Sequence, residues 1–328
     1  MDSIILKIYF EDFWTSFDVN ENFITKILQK HYTLVIDKNP DYLFFSTFGY
    51  NHLKYKNCIK IFYSGENVEV DFNLSDYAIS YQHLNAKDRY CRYPFYIVYM
   101  DYHAKKWQEQ LKNKSFDKAT DRKFCNFVYS NGKDADPIRE LFFKKLSKYK
   151  KVDSGGRYLN NIGGAVTNKM EFIKDYKFTI AFENSLLSGY TTEKIIEPMI
   201  AGSMPIYWGN PDIHLDFDKN SFVCVNDFNS IDEAVDEVVR LDNDNDAYMK
   251  KIYNLPIIND INEKRKMFSE QLLIFLENIF EQDYAKAKRT TNWGFVSAYK
   301  QKQETMELLY GNKITRPLVK FFQFVTNM

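Results

Sequence analysis

Apolar positions along the chain fall into two kinds of grouping. Short runs rich in β-branched and aromatic residues predict strands: IILKIYF at 4–10, TLVI at 33–36, DYLFFSTF at 41–48, CIKIFYS at 58–64 and DYAISY at 76–81. Between the first two, Phe23, Ile24, Ile27 and Leu28 share one helical face. The pattern blurs over residues 85–120, a polar and partly helical stretch that reads as the connection between domains. It then resumes with strands KFCNFVYS (123–130), KFTIAFEN (177–184), SMPIYWG (203–209) and SFVCVND (221–227). Helical patterns lie over 137–149, after a start at Thr191 or Thr192, and over IDEAVDEVVRLD. A further amphipathic helix over 262–280 places Phe268, Leu272, Phe275, Leu276 and Ile279 on one face, as core packing requires.

Strands alternating with helices predict parallel sheets. Two such series predict an α/β chain of two doubly wound domains facing each other across a cleft, with ligands beyond the carboxyl ends of the strands. The expected divisions are 1–118, 119–284 and a tail over 285–328. The tail carries the basic run AKAKR (285–289) and ends in RPLVKFFQFVTNM; it packs back on the protein or rests on a membrane surface.

Composition removes several classes. Aromatic residues make up 17% of 328, which is incompatible with disorder. Lys+Arg and Asp+Glu are equal at 44 each, so no global basic field points to nucleic acid, and a charged ligand needs a local cluster. The four cysteines (Cys58, Cys91, Cys125, Cys224) form no CxxC pair and are expected to be reduced thiols of a cytoplasmic protein. The opening MDSIILKIYFEDFW has neither the basic region of a signal peptide nor the apolar length of a membrane anchor.

The stretch FENSLLSGYTTEK (182–194) carries the most chemistry. Its strand delivers Glu183 and Asn184 at the carboxyl end, and Glu193 and Lys194 follow Tyr190 at a helix start. An acid suits that end of the helix dipole; a lysine does not. Adjacent helical residues point about 100° apart, so Glu193 and Lys194 are not an i,i+4 pair. They suit two parts of one ligand, a ribose diol for the carboxylate and a pyrophosphate for the cation, with helix-start amides adding to anion binding. A surface lysine paired with another nearby acid fits the spacing equally. Arg139, after SNGKDADP, stands at a second helix start, where it can grip phosphate oxygens or pair with Glu140 or an Asp. Glu66 in FYSGEN ends a strand beside a glycine, placed as a general base or as a capping acid.

Other signals fail. LDNDNDAY lacks the glycine of a calcium loop at position 6 and has Tyr253 at position 12, so a solvated turn is expected. DAD (134–136) precedes Pro137 and reads as a helix lead-in. His31, His52, His83, His103 and His214 form no HxxxH pair, and no metal site is expected.

Taken together, FENSLLSGYTTEKIIEPMIAGSMPIYWG (182–209) resembles the signature of the α1,3/4-fucosyltransferases, glycosyltransferase family 10. FYSGEN (62–67), VYSN (128–131) with Arg139 downstream, FNLSDYAISY (72–81) and FVCVNDFNSIDEAVDEV (222–238) extend the resemblance over roughly residues 4–280. It implies a GT-B architecture of two Rossmann-like domains, acceptor on the first and GDP-fucose on the second. It further implies transfer with inversion, without an essential metal or other cofactor. By the same resemblance Glu66 matches the general base, Arg139 and Lys194 the pyrophosphate cations, and Glu193 the ribose acid. Asn184 and Tyr190 match donor-site residues, with Ser130, Asn131 and Ser185 as further candidates.

The resemblance implies an oligosaccharide acceptor, with the 3-hydroxyl of GlcNAc in Galβ1-4GlcNAc chains (a Lewis x-type product) as the leading expectation and α1,4 or glucose-directed transfer as the alternative. A catalytically silent nucleotide- or sugar-binding protein is the reading from another class. Thr191 departs from the family's aliphatic residue, and Pro198 interrupts the helix. Similarity to the bacterial, unanchored members implies a cytoplasmic enzyme, with possible peripheral membrane contact through the tail.

Overall fold

A computed structural model describes residues 4–103, 108–109, 115–256 and 258–310, together with 315 and 317. The chain divides into two compact units, Met1–Ser80 with Leu84–Tyr93 and Phe268–Met328, and Tyr81–His83 with Pro94–Met267.

The first unit holds a parallel sheet in the order β2-β1-β3-β4-β5-β6. Its strands are β1 (Ile5–Glu11), β2 (Thr33–Ile36), β3 (Tyr42–Phe45), β4 (Ile59–Tyr63), β5 (Tyr77–Ser80) and β6 (Tyr90–Arg92). Helix α1 (Phe23–Leu28) connects the first two, capped by Asn22, whose side chain accepts from the Thr25 amide at 2.9 Å. Every residue of β4 and β5 is buried, as central parallel strands require.

The second unit holds a parallel sheet in the order β11-β10-β9-β7-β8. Its strands are β7 (Lys123–Phe127), β8 (Val152–Ser154), β9 (Tyr176–Phe182), β10 (Met204–Trp208) and β11 (Val223–Cys224). The helices of the unit are α2 (Phe95–Tyr102), α3 (Ile138–Tyr149), α4 (Lys169–Ile173), α5 (Glu193–Ala201), α6 (Ile231–Asn243) and α7 (Asn245–Ile252). Helix α8 (Ile258–Phe280) contains the division between units, at Met267.

Both expected parallel sheets are present, and the differences are local. The polar stretch taken as a connection contains β6 and α2, and α2 belongs with the second unit, where the Tyr99 hydroxyl donates to Glu197 at 2.8 Å. The second half of α8 belongs with the first unit, where Phe268 meets the Tyr93 ring edge-on. Strand 221–227 shrinks to the two residues of β11, with single 3₁₀ turns on either side. LDNDNDAY is solvated as expected, its residues 243–246 exposed, but it is a junction of two helices instead of a turn: Asp244 ends α6 and caps α7, accepting from the Ala247 amide at 2.9 Å.

The described part of the tail packs on the first unit through α9 (Tyr284–Ala287) and α10 (Phe295–Tyr310). Buried Asp76, just before β5, accepts from Lys288 Nζ and from the amides of Arg289 and Thr290 at 2.7–2.9 Å. The terminal RPLVKFFQFVTNM lies outside the described residues apart from Pro317. Among the described residues, no helix is long and apolar enough to cross a membrane. The four cysteines are buried and form no disulfide.

Candidate active site

The carboxyl end of β9 gathers Glu193, Lys194 and Arg139. Glu183, the first residue beyond the strand, is fully buried, and its amide donates to the Trp208 carbonyl of neighbouring β10 at 2.8 Å. Thr192 caps α5 and gives the same carboxylate both its amide and its hydroxyl, each at 2.8 Å. Lys194 Nζ lies 3.2 Å from Glu183 Oε2, 3.0 Å from Thr192 Oγ1 and 3.6 Å from Glu193 Oε1. The lysine that spoils the start of the helix dipole is thus held by a carboxylate from the preceding strand.

Electrostatics follow from this burial. Desolvation raises the Glu183 pKa, opposed by Lys194 and the Thr192 hydrogen bonds. Burial by itself would lower Lys194, but Glu183 and then Glu193 outweigh it, and its pKa is raised. For Glu193 burial pushes upward, yet Lys194 and Lys169 win and keep it ionised. The site therefore keeps a fixed ammonium beside a fixed carboxylate at neutral pH.

Glycine is required at 209, where φ is +149° and an added Cβ would come within 2.6 Å of Glu183 Cβ and Cγ. Asn210 then ties the loop down: its Oδ1 accepts from the Gly189 amide at 2.7 Å, and its Nδ2 donates to Thr191 Oγ1 at 3.0 Å. That bond gives the buried Thr191 hydroxyl a partner. Pro198 stands inside α5, where it has no N–H to return to the Lys194 carbonyl, and the helix still runs on to Gly202, whose φ of 75° terminates it.

Arg139, in the first turn of α3, does not pair with Glu140 in solvent. It is buried, stacked 4.1 Å over the Tyr129 ring, and its Nη2 donates to the carbonyls of Phe182 and Glu183 at 2.9 Å and to Asn184 Oδ1 at 2.8 Å. Glu140 instead meets Lys144 and the Tyr158 hydroxyl. Arg139 and Lys194 therefore converge on one strand end from two different helices.

The remaining candidates lie in the loops after β9, β7 and β4. Asn184 and Ser185 are half-buried just after Glu183. Tyr190 is buried, its ring edge-on to Tyr81 with centroids 5.2 Å apart. Ser130 and Asn131 are exposed in the loop after β7, where Asn131 folds the turn by donating to Asp134 and accepting from the Lys133 amide. DAD serves as the expected lead-in, with Asp136 Oδ1 accepting from the Ile138 amide at 2.9 Å. Glu66 belongs to the first unit, exposed in the turn after β4, where Ser64 Oγ bridges its amide and carbonyl.

Two residues of the cluster carried no recognised sequence signal. Lys169 opens α4 and pairs with buried Glu197 of α5. Glu193 and Glu197 are four residues apart on one face of α5, a like-charge spacing that is unfavourable unless a cation lies nearby, and this is the signal that could have found Lys169. His214, Cys224 and Asp227 also bring ligand atoms within 4.8 Å of one another, although no spacing suggested it; His214 Nε2 lies 3.1 Å from Asp227 Oδ1.

Comparison with known proteins adds the following. Residues 8–99 match the α-(1,3)-fucosyltransferase FucT N-terminal domain, and residues 118–253 match the glycosyltransferase family 10 (fucosyltransferase) C-terminal domain. The chain is 32% identical to the α-(1,3)-fucosyltransferase FucT of Helicobacter pylori over 85% of its own length and 66% of that protein's. It is 30% identical to a putative fucosyltransferase R654 of Acanthamoeba polyphaga mimivirus, over 57% of this chain and 32% of the relative. A crystal structure of an α1,3-fucosyltransferase with GDP-fucose superposes with a TM-score of 0.72 at 30% identity, covering 86% of this chain and 92% of that one.

Proposed function

Because the chain belongs to glycosyltransferase family 10, we propose that it is an inverting α-1,3-fucosyltransferase moving L-fucose from GDP-β-L-fucose to the 3-hydroxyl of GlcNAc in Galβ1-4GlcNAc-type glycans. Arg139 is the observation that carries this reading. Its guanidinium is buried at the end of β9, and no carboxylate among the described residues lies within 4.0 Å of it. A buried charge without a counter-ion is costly, and a diphosphate supplies the missing one.

In this reading Glu66 takes the proton from the acceptor hydroxyl as its oxygen bonds to the anomeric carbon of fucose. The bond from that carbon to GDP breaks, and the electron pair leaves on the β-phosphate oxygen. Arg139 and Lys194 meet the charge that develops there, a role in which fixed cations replace a metal. Glu193, kept ionised, accepts hydrogen bonds from the ribose hydroxyls. Asn184, Tyr190, Ser130, Asn131 and Ser185 complete the donor side. The enzyme works in the cytoplasm, and its tail touches the inner membrane face peripherally.

Mass spectrometry of products tests this reading, using the full chain, GDP-fucose, EDTA and three acceptors: N-acetyllactosamine, lactose and the β1-3-linked isomer. Fucosylated N-acetyllactosamine in the presence of EDTA is expected. Product on the other acceptors alone would refute the acceptor assignment. Failure to bind GDP-fucose by calorimetry would refute the donor.

A further inference from the structure

Two central strands each carry a buried lysine near the amino end, and the two are treated differently. Lys177 of β9 is neutralised by Asp242, whose Oδ1 lies 2.8 Å from Nζ and whose carbonyl accepts at 3.1 Å; its ammonium also sits 4.7 Å from the Tyr248 ring centroid. Lys60 of β4 is only 9% exposed, yet among the described residues no acceptor or carboxylate holds its ammonium. Asp76, an acid whose charge reaches Lys60, is committed elsewhere: it accepts from the Lys60 backbone amide, from Lys288 Nζ and from two tail amides.

Lys60 instead lines a cavity of about 330 Å³, which lies among described residues of the first unit. Lys56, Lys288 and Lys300 share that lining. Lys56 pairs with Glu304, Lys288 with Asp76, and Lys300 donates to the Thr291 carbonyl and Asn292 Oδ1. Among the described residues, four ammonium groups thus face two carboxylates, and the one left without a partner is the most buried. Glu66 follows the opposite, carboxyl end of β4, so this cavity is separate from the residues assigned to transfer.

We propose that this cavity is a binding site for a phosphoryl dianion, either a small phosphorylated molecule or a phosphate headgroup, with Lys60 as its central cation. The volume is at the small end of ordinary ligand pockets and fits a phosphate with a short organic substituent. Asn292 and Thr290 add polar groups to the lining, while Leu53 and Leu74 give it an apolar wall. Burial, with Lys288 and Lys56 nearby and Cys58 and Asp76 opposing, lowers Lys60 to about 8, so it is still a cation at neutral pH. The tail contributes Lys288 and Lys300, which makes an anion in this cavity a clamp between the tail and β4.

The test uses inorganic phosphate as the probe and the full chain, measuring melting temperature against phosphate at constant ionic strength. With the donor-site cation removed by Arg139→Ala, a saturable rise is expected, and adding Lys60→Met to that variant is expected to weaken the response at least tenfold. Lys60→Met removes a charge and keeps the volume, so it is expected to fold; Lys26→Met, on an exposed lysine, is the control. Equal responses in Arg139→Ala with and without Lys60→Met, or no saturable response in Arg139→Ala, would overturn the site. Flotation with phosphatidic acid vesicles against phosphatidylcholine vesicles identifies the source. Lys60-dependent flotation marks a lipid headgroup. A Lys60-dependent melting response without flotation marks a soluble phosphate.

Discussion

Oε2 of Glu183 lies 3.2 Å from Nζ of Lys194, the two joined across Thr192, which caps the helix and donates twice to the same carboxylate. The pair holds a cation at the positive end of a helix without leaving its charge uncompensated. Glu183 is fully buried, so removing its charge alone leaves the lysine without its main counter-ion. Glu183→Gln is expected to destabilise the fold by about 3–5 kcal/mol in urea titrations. The double variant with Lys194→Met should cost less than the sum of the singles, because one interaction is removed twice. Additive losses would show that the two side chains act separately.

Arg139 joins structure to the proposed chemistry. Arg139→Ala is expected to lower GDP affinity by about 100-fold in calorimetry, the loss of a charge-assisted contact worth about 3 kcal/mol. Arg139→Lys keeps the charge but not the planar fork, and should recover only part of that affinity. Unchanged GDP binding in both would remove the guanidinium from the donor site.

Glu66 has little structural work in its turn, since it is the Ser64 hydroxyl that bridges the backbone there. Glu66→Gln should therefore leave the melting temperature and GDP-fucose binding unchanged while lowering turnover by about 10²–10⁴-fold, the range for loss of a general base. A variant that keeps most of its turnover would rule this residue out.

Lys60 makes stability depend on pH in a definite direction. Its folded pKa is lowered to about 8, whereas the unfolded chain keeps that proton up to about 10.4. Between these values the unfolded state binds more protons, so the free energy of unfolding rises with pH. Relative to Lys60→Met, the wild type should gain about 3 kcal/mol between pH 7 and 10.5, measured by denaturant titration at each pH. A constant difference between the two proteins would show that Lys60 titrates normally.

Much of the fold was readable because its elements declare themselves locally. TLVI, KFTIAFEN and the 23–28 face carry the period or the continuous apolar run of the element they form, and Pro137 and Thr192 mark helix starts by their own chemistry. Strands β6 and β8 are three residues each, too short to show a period, and exist because a neighbouring strand pairs with them, while β11 keeps only two residues of the strand expected over 221–227. Glu66 in FYSGEN and the adjacent Glu193 and Lys194 in FENSLLSGYTTEK were legible for the same reason: each lies in its own short stretch.

What the sequence alone determined is the family signature, the two parallel α/β series and the identity of the residues around FENSLLSGYTTEK, since each depends on neighbours in the chain. Only the tertiary structure decided which charges meet. Lys194 belongs to Glu183, Lys169 to Glu197 and Lys177 to Asp242, while Arg139 and Lys60 are buried with no carboxylate of their own among the described residues. The reason is physical: the energy of a charge depends on its burial and on the distance to the next charge, and chain order specifies neither until the strands and helices are packed.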